Sequence, residues 1–177
     1  MRRDESRPSP GSYQPNDPLE VSDRMTETDD RAALAPLERL VGAWDVTFRF
    51  PWLPDQEVRG RTTFEWALDR RFLLQRADAE AQGAPSGLTV IAPAPAPEGG
   101  FLQHYFDSRG VVRLYRMTLD DTTWTLHREV ADFSPLSFGQ RFVGTFQDGG
   151  RVIDARWEKD EGSGYELDFH LRYERAD

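Results

Sequence analysis

The chain contains no cysteine. That absence removes disulfides, thiolate nucleophiles and thiolate metal sites together, and it suits a cytoplasmic setting. Histidine is scarce, with three in 177 residues. No run of about 18 apolar residues occurs, so no helix is expected to span a membrane. The opening residues, Met1-Arg2-Arg3-Asp4-Glu5-Ser6, lead into no apolar stretch, which argues against a secretory signal. Positive charge is also short: 22 basic residues face 31 acidic ones, for a net charge of −9. Nucleic acid and anionic membranes are therefore poor partners. Catalytic signatures are missing too. Ser86, Ser108, Ser134 and Ser137 have no Gly-x-Ser-x-Gly context, and no serine–histidine–acid order stands out. Gly149-Gly150 and Gly162-Ser163-Gly164 read as hairpin turns rather than phosphate loops. No catalytic residue and no metal ligand are assigned.

What is present is aromatic. Trp, Tyr and Phe number 5, 5 and 11, and only Tyr13 lies outside residues 31–177. One domain with that many rings has a large core or an aromatic-lined pocket. Residues 1–30 differ: four arginines, eight acids and five Pro or Gly positions from Pro8 to Pro18 show no hydrophobic period. They are expected to be a disordered extension, with residues 31–177 forming the domain. Met25 is an alternative start just ahead of that domain.

The domain reads as β-structure. Asp29 or Asp30 can cap a short helix through Leu40, with Leu34, Leu37, Leu40 and Val41 on one side and Pro36 limiting its length. Trp44, Val46, Phe48 and Phe50 then alternate with Asp45, Thr47 and Arg49, a period of two. The same pattern runs from Val58 through Gly60, Thr62, Phe64 and Trp66 to Leu68. Further strands are expected at 72–79, 88–92, 101–106, 111–118, 122–130, 138–147, 151–159 and 165–175, joined by turn sequences such as Asp148-Gly149-Gly150. About ten strands with short connections imply an antiparallel up-and-down β-barrel with a short N-terminal helix, rather than a sandwich. Trp44, Phe48, Phe64, Trp66, Trp124, Phe142, Phe146 and Phe169 fall on the inward faces.

Gly42-Ala43-Trp44 after a short helix resembles the Gly-x-Trp opening of lipocalins and their calycin relatives. The resemblance implies that the tryptophan plugs one barrel end under an arginine from the last strand. Arg175 is the candidate, in register with Tyr165, Leu167, Phe169, Leu171 and Tyr173. Tyr105-Phe106-Asp107-Ser108-Arg109-Gly110 and the stretch 139–175 are similar to a bacterial calycin-like group, domain-of-unknown-function family 1579, over residues 34–175. The fold follows from that resemblance and a specific activity does not.

The middle hairpin, 101–118, scatters Gln103, His104, Tyr105, Arg113, Tyr115 and Arg116 among its rings. Buried polar groups need partners, so such a strand is either a wall facing a ligand cavity or a set of cross-strand pairs on an exposed edge. On one face Gln103, Tyr105, Arg113 and Tyr115 offer an amide, two phenols and a guanidinium to a carboxylate or carbonyl. Trp66 and Trp124 are the candidates for the apolar wall. The leading expectation is a cytoplasmic barrel that binds a small, mostly apolar ligand with a polar or acidic end. A cyclase- or isomerase-type cavity enzyme using Tyr105, His104 or Arg113 is the first alternative. The second is haem binding: the close of the chain is similar to that of nitrobindin-type barrels, which implies His170 as the ligand. His170, however, shares the polar side with Glu166, Asp168, Arg172 and Glu174. No cofactor and no oligomeric state follow from the sequence.

Overall fold

The structure, a computed structural model, describes residues 32–95 and 97–176. The expected extension and the Met25 start lie outside the described residues. A 3-10 helix, Ala35–Leu40, precedes ten strands: β1 Gly42–Arg49, β2 Glu57–Ala67, β3 Phe72–Ala79, β4 Gly87–Pro93 and β5 Phe101–Asp107. They continue as β6 Val112–Leu119, β7 Thr123–Arg128, β8 Gly139–Gln147, β9 Val152–Asp160 and β10 Glu166–Arg175. Each strand pairs antiparallel with its sequence neighbours, and β1 pairs with β10, so the sheet closes into an up-and-down barrel. Closure leaves no edge strand. The middle hairpin is thus a wall of the barrel, and the exposed-edge reading of it falls away.

The helix seats the plug. Pro36 occupies its first turn, where a missing N–H is harmless, and Leu37 and Leu40 turn fully inward. Trp44 is fully buried and its Nε1 donates to Leu40 O at 2.8 Å. Arg175 is the register partner of Trp44 and stacks over its ring at 4.3 Å. The same guanidinium donates to Val41 O and Arg39 O, capping the carbonyls where the helix ends. Above this plug, Phe64, Trp124, Phe142, Leu73, Ile91, Met117 and Ile153 fill the lumen. Trp124 sits edge-on to Phe142 (4.6 Å) and Phe64 (6.0 Å).

Three local expectations need correction. Leu68 does not continue β2; it turns out at φ 49° and is exposed, beginning the reversal with Asp69 and Arg70. The inward face of β10 does not extend to Leu167 and Tyr165. The register shifts between Leu167 and Phe169, and an inserted residue reverses the alternation. Leu167 is consequently exposed, and Tyr165 packs outside under Arg141 while donating to Glu129 Oε1. β7 ends at Arg128 rather than Val130, because the next residues leave the sheet and fold back beside β6, where Asp132 accepts the Leu114 amide.

Among the described residues no helix is long and apolar enough to cross a membrane. The outer wall carries Asp45, Arg49, Arg59, Arg61, Glu65 and Arg76, a charged surface that water solvates and lipid does not.

Candidate functional site

β1 starts beside the plug and ends at Arg49, so the loops 50–56, 108–111 and 129–138 gather at the opposite end, the mouth. The polar residues of the interior lie towards it. Gln75 pairs with Thr89, Thr89 with Tyr105, and Tyr105 with Arg113. This cross-strand row starts beside Phe64, the partner of Gln75 in the packed core. Because barrel strands tilt, such a row climbs around the wall towards the mouth. Gln103 pairs with Ile91 and Tyr115 in the adjacent row. The structure therefore sets Gln103, Tyr105, Arg113 and Tyr115 on one inner wall as two cross-strand pairs. Gln75, Thr89 and Gln103 are all buried, while Thr62, also buried, lies opposite Trp44 in the plug half.

The facing wall is aromatic. Tyr115 reaches across two intervening strands to Trp157, ring centroids 5.4 Å apart, and Trp157 meets Phe142 at 5.3 Å. These rings form a floor. From there Phe48, Phe169, Phe50 and Trp52 follow one another at 6.5, 5.4 and 5.1 Å and end on the exposed Trp52.

Hydrogen bonds separate what is satisfied from what is not. Tyr105 OH donates to Asp107 Oδ2 at 3.2 Å, and Tyr115 OH donates to Gln140 Oε1 at 3.1 Å. Burial first, and then the Asp107 charge, push the Tyr105 phenol up to about 12. Burial likewise pushes Tyr115 up. Both are thereby held as neutral donors at neutral pH. Asp107 is held down to about 2, chiefly by Arg109 and further by the Val111 and Arg109 amides. Gln103 is different. It is 4% exposed, and among the described residues its Oε1 accepts no hydrogen bond. Trp124 Nε1 is also unpartnered, but ring faces beside it can accept an N–H weakly.

The loop 129–138 is clamped over the mouth side of β6. Arg128 and Asp132 form a bidentate pair at 2.8 and 2.9 Å with side chains 1% and 3% exposed. Asp132 also accepts the Leu114 amide at 2.9 Å, where β7 has run out and no strand partner remains. The Arg128 guanidinium holds the Asp132 carboxyl well below the usual range. Ser134 Oγ receives Arg113 Nη1 at 2.9 Å, and Arg113 also donates to Val112 O. Among the described residues Arg113 forms no ion pair.

The remaining candidates lie elsewhere. Trp66 is at the plug, its Nε1 donating to Glu38 Oε2 at 3.0 Å with Arg70 over the ring. Trp124 is deep in the packed half, apart from the polar wall. His104 faces outward, 6.5 Å from the Phe133 ring. His170 is exposed on the outer wall between its register partners Arg49 and Arg156, along a shallow groove of about 500 Å³. A haem ligand must point into the lumen, and His170 points away from it. Among the described residues no group of three or more His, Cys, Asp or Glu is placed to hold a metal ion.

Sequence reasoning missed Gln75, Thr89, Gln140, Trp157 and the Arg128–Asp132 pair. Leu73 and Leu74 are adjacent, which hid the facing of Gln75. Its opposition to Phe64 across the turn at 68–71 was the one usable signal.

No family model matches the chain, and no curated protein matches it. The chain is similar in structure to the crystal structure of Rv2717c from M. tuberculosis, with a TM-score of 0.58 and 12% sequence identity. The match covers 82% of this chain and 98% of that one. At that identity it shows the fold alone, a β-barrel.

Proposed function

We propose that this protein binds a small, mostly apolar molecule by a polar or acidic end, in the mouth half of the barrel. The observation that carries the reading is Gln103. A buried amide oxygen without a donor costs roughly 1–3 kcal/mol, and it sits on the same wall as an arginine without a counter-ion. An unfilled acceptor and a cation without a counter-ion on one wall are what a small bound molecule can relieve. The aromatic run from Phe48 to Trp52 supports an apolar tail. Kinship with calycin-like barrels is part of this reading, supported by the buried Trp44 under Arg175.

The test is native mass spectrometry of the protein purified gently from its own host. An added mass that disappears on denaturation is expected. A clean mass, together with no change in tryptophan fluorescence against a panel of apolar acids and alcohols, would overturn the reading.

A further inference from the structure

Resting on that binding reading, the pattern of filled and unfilled groups narrows the ligand. Asp107 is engaged by Arg109, and Asp132 by Arg128. Arg113 is thus left with only neutral oxygens, Val112 O and Ser134 Oγ, on Nη1. It calls for an anion. Gln103 Oε1 calls for a donor, and the phenols beside it cannot serve, since Tyr105 gives its proton to Asp107 and Tyr115 to Gln140. The residue opposite Gln103 is Tyr115, and Arg113 is two positions along the same strand. Such diagonal neighbours are about 7–8 Å apart at the backbone, within reach of long side chains, and the Arg113 charge is felt at the Tyr115 phenol opposite Gln103. Both demands therefore fall on one headgroup.

We propose that the ligand is an apolar hydroxy acid, carrying its carboxylate to Arg113 and a hydroxyl on a nearby carbon to Gln103. A plain carboxylic acid satisfies Arg113 and leaves the amide oxygen unpaired. A plain alcohol does the reverse, and an amine is repelled by Arg113. Tyr115 and Trp157 block the way down, so the tail lies along Phe48, Phe169 and Phe50 towards Trp52.

The full chain is titrated calorimetrically with β-hydroxydecanoate, decanoate and decanol. The hydroxy acid is expected to bind roughly tenfold or more tighter than either of the others, the scale of one buried hydrogen bond to an otherwise unpaired group. Gln103→Met should bring the hydroxy acid level with decanoate, and Arg113→Met should bring the hydroxy acid down to decanol and decanoate below it. Equal affinity of the wild-type protein for hydroxy acid and decanoate overturns this assignment while leaving a barrel binder in place. No binding of any of the three, with tryptophan fluorescence unchanged, removes the binding reading and this inference together. The wild-type comparison decides the matter even where a variant fails to fold.

Discussion

The two halves of the lumen are built on opposite principles. In the plug half the interior side chains are Trp44, Phe64, Leu73, Phe142 and Ile153, all essentially inaccessible. The polar groups there are Trp44 Nε1, which is bonded, Trp124 Nε1 and the buried Tyr173 among rings, Thr62 opposite Trp44, and Arg39 Nε beside the helix end, unpartnered among the described residues. Each such side chain contributes roughly 1.5–3 kcal/mol by leaving water. In the mouth half the wall from β3 to β6 carries Gln75, Thr89, Gln103, Tyr105 and Arg113, with unmet bonding capacity at Gln103 and Arg113. One half spends its interior on stability, and the other keeps groups that stability alone would replace with leucine. Substitutions should therefore behave differently in the two halves.

The largest effect is expected in the plug. Trp44→Ala removes a fully buried ring, leaves Leu40 O without its donor and takes the stacking surface from Arg175. Urea denaturation should show a loss of about 3–5 kcal/mol, the range for an aromatic cut back in a core. A loss under about 1 kcal/mol would mean that the plug is dispensable and the division into halves is wrong.

Next comes the clamp at the mouth, which looks polar but is structural. Asp132→Asn leaves the Arg128 guanidinium buried and uncompensated, and breaking such a pair costs about 3 kcal/mol. The pH dependence has a definite sign. The folded-state carboxyls of Asp132 and Asp107 titrate below the unfolded value of about 3.9, so they stabilise the barrel fully above that pH. Their contribution drains away as pH falls through about 2 for Asp107 and lower still for Asp132. Acid titration by circular dichroism should give a shallower loss in Asp132→Asn than in wild type. An identical slope would remove the clamp from the account.

The barrel itself was legible because its signal is local. Trp44, Val46 and Phe48 alternate with polar neighbours, and the strand bounds read from such runs differ from the observed ones by one or two residues. That Gln103, Tyr105, Arg113 and Tyr115 share a wall was legible for the same reason. Depth was not. Trp66 and Gln103 both face inward, yet one is at the plug and the other on the polar wall, because strand tilt sets height and no local pattern reports tilt. The bulge at Asp168 reversed the facing of Leu167 without any glycine to announce it. Arg128 and Asp132 read as ordinary loop charges, since their burial depends on where the loop 129–138 lands.

The smallest effect is the most informative because its sign is opposite. Gln103→Met keeps the length of the side chain and removes an amide whose oxygen has no donor. Were Gln103 part of the core's stability, the substitution would weaken the barrel. An unpaired buried acceptor instead costs the folded state, and its replacement by an apolar group of like shape should raise stability by about 1 kcal/mol. In a domain of this size that is a rise of roughly 2–4 °C in Tm. Ligand affinity should fall in the same variant. Stability gained and binding lost at one residue is the signature of a group kept for its ligand. A Tm that drops by a similar amount would show that Gln103 is satisfied in solution, and the mouth would then be a polar core closed on itself.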